Sequence, residues 1–134
     1  MTTAARLTDS TNVPWTEPPT AEEILARIDE LGPGWRERRR ALDEAVEFPH
    51  ENFAEAKAAG LHALTLPTEY GGAGVWLPGR YSHWYEALER MAWWETNTAQ
   101  LLQVHNHAAG IIAWHSTPSQ RDHFLPRIAA GCFC

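Results

Sequence analysis

A chain of 134 residues, 44% hydrophobic and 21% charged, is one domain's worth of soluble globular material with enough apolar mass for a core. Its formal net charge of −6 argues against nucleic acid as the main partner, because neutralising phosphates requires a basic face. No apolar run approaches the roughly 20 residues that span a bilayer, and the first ten residues lack the apolar centre of a secretory signal, so no membrane partner and a cytoplasmic location are expected.

Residues 1–19 are polar and interrupted by Pro14, Pro18 and Pro19, which predicts a mobile tail. Thr20 and Glu23 form a capping-box pattern that opens a first helix carrying Ile24, Leu25, Ile28 and Leu31, and Gly32-Pro33-Gly34 is expected to end it. A second helix is predicted from Trp35 to about Glu47, and a short third from Pro49 to Ala59, with Gly60 as a left-handed cap. Leu61 to Pro67 alternates briefly but stands alone between Gly60 and Pro67, so an extended loop is expected.

Beyond the glycine loop, Tyr81, Trp84, Tyr85, Leu88, Met91 and Ala92 recur at helical spacing and predict a helix from about Arg80 to Trp94. Asn97 or Thr98 is expected to cap the next helix, which runs to about His115. Thr117-Pro118 opens the last, which ends near Ala130 with Gly131 beyond it. The sum is an all-α bundle of about six helices.

The helix from Asn97 to His115 divides into two stripes. Leu101, Leu102, Val104, Ala108, Ala109 and Ile112 read as the core side, and Gln100, Gln103, His107, Gly110 and Trp114 as the opposite side. His105 and His107 are two residues apart and point to different sides of a helix, whereas a helical metal pair uses positions i and i+4. His105 and His115 share the core side but lie nearly three turns apart, so buried, hydrogen-bonded imidazoles are expected and no metal site.

Other features have structural readings. Gly71-Gly72-Ala73-Gly74 lacks the Lys-Ser/Thr of a phosphate loop and is expected to pack against its own bundle, fixed by Glu69 and Tyr70. The basic run at Arg36, Arg38, Arg39 and Arg40 reads as a solvated helix face. Cys132 and Cys134, one residue apart, are poorly placed for a disulfide and supply only half a zinc site, so they read as reduced thiols of an incipient buried strand. Trp76, Trp93 and Trp94 cannot all lie inside so small a bundle alongside Trp84, which suggests that the domain meets another surface.

The stretch Phe-Pro-His-Glu-Asn from Phe48, leading through an Ala-rich helix into Ala-Gly-Leu-His-Ala-Leu-Thr-Leu-Pro-Thr-Glu-Tyr-Gly-Gly-Ala-Gly at Gly74, resembles the N-terminal helical domain of the acyl-CoA dehydrogenase family. Thr117-Pro118-Ser119-Gln120, then Phe124-Leu125-Pro126 and Ala130-Gly131, resembles that family's second motif, and the resemblance spans roughly Thr20 to Cys134. It implies a domain over residues 20–131, with 132–134 starting a β-domain that the sequence does not contain. It also implies that the family's flavin-bearing β-domain and second helical bundle are the domain's own partners, in a full-length homotetramer.

By the same resemblance, the parent enzyme carries out α,β-dehydrogenation of acyl-CoA thioesters. A glutamate removes the α-proton and the β-hydride passes to the flavin of FAD. The resemblance places neither that glutamate nor the main flavin contacts in this chain, so no catalytic or cofactor-binding residue is assigned and the chain alone is expected to be inactive. The helix from Asn97 to His115 would form the floor of the acyl pocket, with Gln100, Gln103 and His107 lining it. Two amides and an imidazole there suggest a more polar or aromatic acyl group than a straight alkyl chain. Two alternatives stay open: a reduced-flavin monooxygenase of the same fold, using FMN or FAD with a histidine as proton donor, and a non-catalytic helical interaction module.

Overall fold

The structure, a computed structural model, describes residues 15–134. Five α-helices follow one another: α1 Ala21–Ala45, α2 His50–Ala58, α3 Tyr81–Trp94, α4 Thr96–His115 and α5 Pro118–Ala129. Two 3₁₀ turns, Leu61–Ala63 and Thr68–Tyr70, lie between α2 and α3, and no strand occurs among the described residues. The all-α class is as expected.

The capping box at the start of α1 forms: the Glu23 N–H donates to Thr20 Oγ1 at 3.2 Å and the Thr20 N–H to Glu23 Oε2 at 2.7 Å. The expected stop at Gly32-Pro33-Gly34 does not occur, and the first two predicted helices are one helix of 25 residues. Packing overrides propensity here, although an internal proline costs a helix about 3 kcal/mol. Ile24, Ile28, Gly32 and Trp35 form one uninterrupted buried stripe across the break. Gly32 is part of the fit: a Cβ there would lie 2.1 Å from the Trp94 ring. The indole donates to Asp29 Oδ1 at 2.9 Å, Arg90 pairs with the same carboxylate, and beyond the proline the Arg36 guanidinium donates to the Trp93 carbonyl at 2.6 Å, so α3 is bolted to α1 on both sides of Pro33.

Residues 1–14 of the expected tail lie outside the described residues, and the last five do not behave as a tail. Trp15 is buried, its indole donates to the Gly60 carbonyl at 2.9 Å, and the Arg27 guanidinium stacks 3.6 Å over the ring. The basic run on α1 is likewise partly engaged rather than simply solvated. Arg38 reaches Asn52 and Glu55, and Arg36 lies over the rings of Trp93 and Trp94.

On α3 the buried residues are Trp84, Ala87 and Met91, while the expected stripe members Tyr81 and Tyr85 are exposed. The segment expected as an extended loop opens with a 3₁₀ turn at Leu61–Ala63, and Leu61, Ala63, Leu64, Thr65 and Leu66 have no exposed surface. One core cluster joins α1, α2, α3 and the start of α4. A second joins Ala63, Leu66, Ala109, Ala113, Leu125 and Ile128 where α4 meets α5.

α1 ends in a Schellman-type turn, with the Glu47 N–H on the Leu42 carbonyl at 3.1 Å and the Val46 N–H on the Asp43 carbonyl at 3.2 Å. Such a turn needs a left-handed residue, and Val46 fills the position at φ 55°, ψ 44° with its side chain 91% exposed. Left-handed backbone is unfavourable for a β-branched residue, whereas Asn tolerates it. Val46→Asn should therefore stabilise the chain by about 0.5–1 kcal/mol, read as a rise in Tm of about 2–5 °C by thermal unfolding. An unchanged or lower Tm would show that the turn stores no strain.

Candidate functional site

The site is built on α4, whose start is set by Glu95 and not by the expected Asn97 or Thr98. The buried Glu95 carboxylate accepts from the Asn97 N–H at 3.0 Å and from the Thr98 N–H and hydroxyl at 2.6 Å each. A carboxylate suits the positive end of a helix. Thr98 Oγ1 also accepts from Asn52 Nδ2 at 2.8 Å, and Asn52 Oδ1 from Arg38 Nε at 2.8 Å, so one polar chain ties α1, α2 and α4 together.

The inward side of α4 comprises Ala99, Leu102, His105, Asn106, Ala109 and Ala113. Asn106 and His105 are its working parts. Asn106 Nδ2 donates to the carbonyls of Leu61 at 2.9 Å and Leu102 at 3.0 Å, and its Oδ1 accepts from the Leu64 N–H at 3.0 Å. His105 Nε2 lies 2.8 Å from the His62 carbonyl, which only accepts, so Nε2 carries the proton and Nδ1 is left to accept from the Cys134 N–H at 3.1 Å.

The expected division of α4 into two stripes is therefore rotated. Leu101 and Val104, assigned to the core, are 36% and 51% exposed, and His115 is exposed as well. Gly110, assigned to the outer side, is buried because the Trp76 ring covers it there. Gln100 and His107 do face outward and Gln103 is half-buried at the edge of the same side, so the three proposed pocket residues share one flank of the helix. They stand among exposed Leu101, Val104, Ile111 and Trp114, with Phe124 of α5 alongside. A groove of about 490 Å³ lined by Val46, Phe48, Gln100 and Leu101 flanks one end, and one of about 230 Å³ lined by Ile111, His115 and Phe124 the other. Trp76, not assigned to this side from sequence, meets His107 edge to face with ring centroids 5.4 Å apart.

The glycine loop holds no phosphate cradle. The N–H groups of Gly71, Gly72, Ala73, Gly74 and Val75 donate to carbonyls of Thr68, Pro67, Ala63, Leu66 and Leu64. Beside the loop, Tyr70 donates to Asp122 of α5. No group of three or more His, Cys, Asp or Glu residues could hold a metal ion, and no helix is long and apolar enough to cross a membrane, among the described residues. Cys132 and Cys134 are free and exposed, not part of a buried strand. It is Phe133 between them that packs, against Phe53 and His105.

Residues 25–132 match the family described as acyl-CoA dehydrogenase, N-terminal domain. The chain belongs to that family. The acyl-CoA dehydrogenase N-terminal domain here is also similar to the acryloyl-CoA reductase (NADH) of Anaerotignum propionicum, with 29% identity over 90 residues that cover 67% of this chain and 22% of the relative. The chain thus spans about a fifth of the length of that curated relative. No solved structure gives a significant match.

Beneath the outer side, the acyl-CoA dehydrogenase N-terminal domain holds two neutral imidazoles. Burial pushes His105 down to about 4, against a smaller opposing effect of its bond to the His62 carbonyl. Burial also lowers His62, its bond to the Ala129 carbonyl opposing and the nearby Lys57 charge adding to the fall. Its Nδ1 has no hydrogen-bond partner among the described residues. Both rings take up protons more readily in the unfolded chain, where histidine titrates near about 6.5. Stability is therefore full above that pH and is lost as pH falls from about 6.5 toward 4, by an amount on the order of 3 kcal/mol for His105 alone. Chemical denaturation at a series of pH values should show this decline, and His105→Gln should flatten it. An equal slope in the variant would contradict the assignment.

Proposed function

We propose that this domain acts as the N-terminal helical part of a flavin-dependent oxidoreductase that dehydrogenates acyl-CoA thioesters, with the outer side of α4 forming one wall of the acyl site. The observation that carries the reading is the uncovered apolar side of α4, where Leu101, Val104, Ile111 and Trp114 surround Gln100, Gln103 and His107. In a family member, such a patch is suited to docking against a cofactor-bearing domain, and the two amides and imidazole supply directed polar contacts within it. Membership of the acyl-CoA dehydrogenase family and the similarity to an acryloyl-CoA reductase support a CoA thioester as the substrate class.

FAD, when bound, supplies the redox chemistry. The glycine loop uses its amides internally, so it does not fit the cofactor's pyrophosphate, and on this reading FAD is held mainly by domains outside the chain. What the chain's own residues contribute is positional. Gln100, Gln103 and His107 orient the acyl group, while Leu101, Val104 and Ile111 exclude water from the joint.

Co-expression with a tagged acyl-CoA dehydrogenase core that lacks its own N-terminal domain tests this reading. The chain should copurify with the core as a yellow complex that oxidises an acyl-CoA, and Val104→Asp should abolish the complex while leaving helicity intact. Flavin binding and turnover by the chain alone, or a complex indifferent to Val104→Asp, would overturn the proposal.

A further inference from the structure

The feature that the acyl-site reading leaves unused is Trp76. Its indole lies where a side chain at residue 110 would be: a Cβ on Gly110 would meet Cζ3, Cε3 and Cη2 of the ring at 2.5, 2.6 and 2.9 Å. The helix thus carries glycine where this ring presses on its backbone. The segment that delivers the ring is fixed. The Val75 N–H is bonded to the Leu64 carbonyl at 3.0 Å, and Arg80 donates to the carbonyls of Gly74, Ala73 and Pro19. Trp76 is only half-buried, so part of the indole stays open beside His107, with the two ring planes 86° apart.

From Gln103 to Gly110 is about 10 Å along the helix axis. Over that length the surface offers an amide and an imidazole from α4 and, from the loop before α3, the Trp76 indole fixed nearly perpendicular to the imidazole. A linear alkyl chain gains only apolar contact from such a surface. A planar ring gains the same contact and also the edge-to-face geometry that aromatic quadrupoles favour. We propose that Trp76 and His107 form a clasp that selects a ring-bearing acyl group, with Gln103 addressing its polar edge. This rests on the reading of α4 as a wall of the acyl site and narrows that site's substrate class.

The chain itself can be tested by NMR, following the Trp76 indole N–H, assigned by its loss in Trp76→Phe, and the His107 ring. Phenylacetyl-CoA and octanoyl-CoA, with eight acyl carbons each, serve as probes. Phenylacetyl-CoA should shift both signals at a concentration about three- to tenfold lower than octanoyl-CoA. Trp76→Leu should weaken phenylacetyl-CoA binding more than octanoyl-CoA binding and so remove the preference, and Trp76→Phe should keep part of it. Equal affinities in the native chain, or a preference that survives Trp76→Leu, would overturn the clasp and leave the acyl-site reading standing. If neither thioester perturbs Gln100, Gln103, Val104 or His107, the acyl-site reading fails and the clasp with it.

Discussion

A chain segment shut away from water must have its backbone polar groups answered by protein, and Leu61–Leu66 is such a segment in this domain. It forms neither a strand in a sheet nor a turn of α-helix, so its partners come from elsewhere. Asn106 takes the Leu61 carbonyl and the Leu64 N–H, and His105 takes the His62 carbonyl. Ala73, Val75 and Gly74 take the carbonyls of Ala63, Leu64 and Leu66, and the Thr65 hydroxyl closes onto the Asn106 carbonyl. A buried hydrogen bond is worth only about 1 kcal/mol net, but leaving its partner unanswered costs about 1–3 kcal/mol. The network is therefore close to all-or-none.

Satisfying that segment fixes the rotation of α4 about its own axis. Asn106 and His105 must point inward, so Ala99, Leu102, Ala109 and Ala113 go with them into the core. The same rotation turns Leu101, Val104, Ile111 and Trp114 outward, although each is apolar enough to be buried. The exposed apolar side of the domain is in this sense a consequence of its buried polar one. The strand-like path through Ala73 and Val75 then sets Trp76 against Gly110, completing the outer side with a residue from a distant part of the chain.

Much of this was legible in the sequence, and what was not has a physical reason. Helix ends were readable at Thr20 and Thr117 from side-chain capping and at Gly60 from its left-handed backbone, and all three form as expected. Gly32-Pro33-Gly34 misled because local propensity was weighed above the stripe of Ile24, Ile28 and Trp35 that runs through it. On α4 hydrophobicity misassigned the faces, since the core side carries an asparagine and a histidine and the outer side carries leucine and valine. The relevant signal was present: Ala99, Leu102, Asn106, Ala109 and Ala113 keep helical spacing, and reading Asn106 as a bonded core residue would have recovered the face. Gln100 and His107 were placed outward correctly. Trp76 was missed at that site because no sequence spacing relates residue 76 to residue 107.

The central claim is that α4 and the buried Leu61–Leu66 segment form one cooperative unit held through Asn106. Native-state amide hydrogen exchange measures this directly. The N–H groups of Leu64 and Val75 should exchange as slowly as those of Leu102 and Ala109 in the middle of α4, all four responding to denaturant together. If Leu64 exchanges orders of magnitude faster while α4 stays protected, the segment opens without the helix, and Asn106 does not hold the fold in the way described.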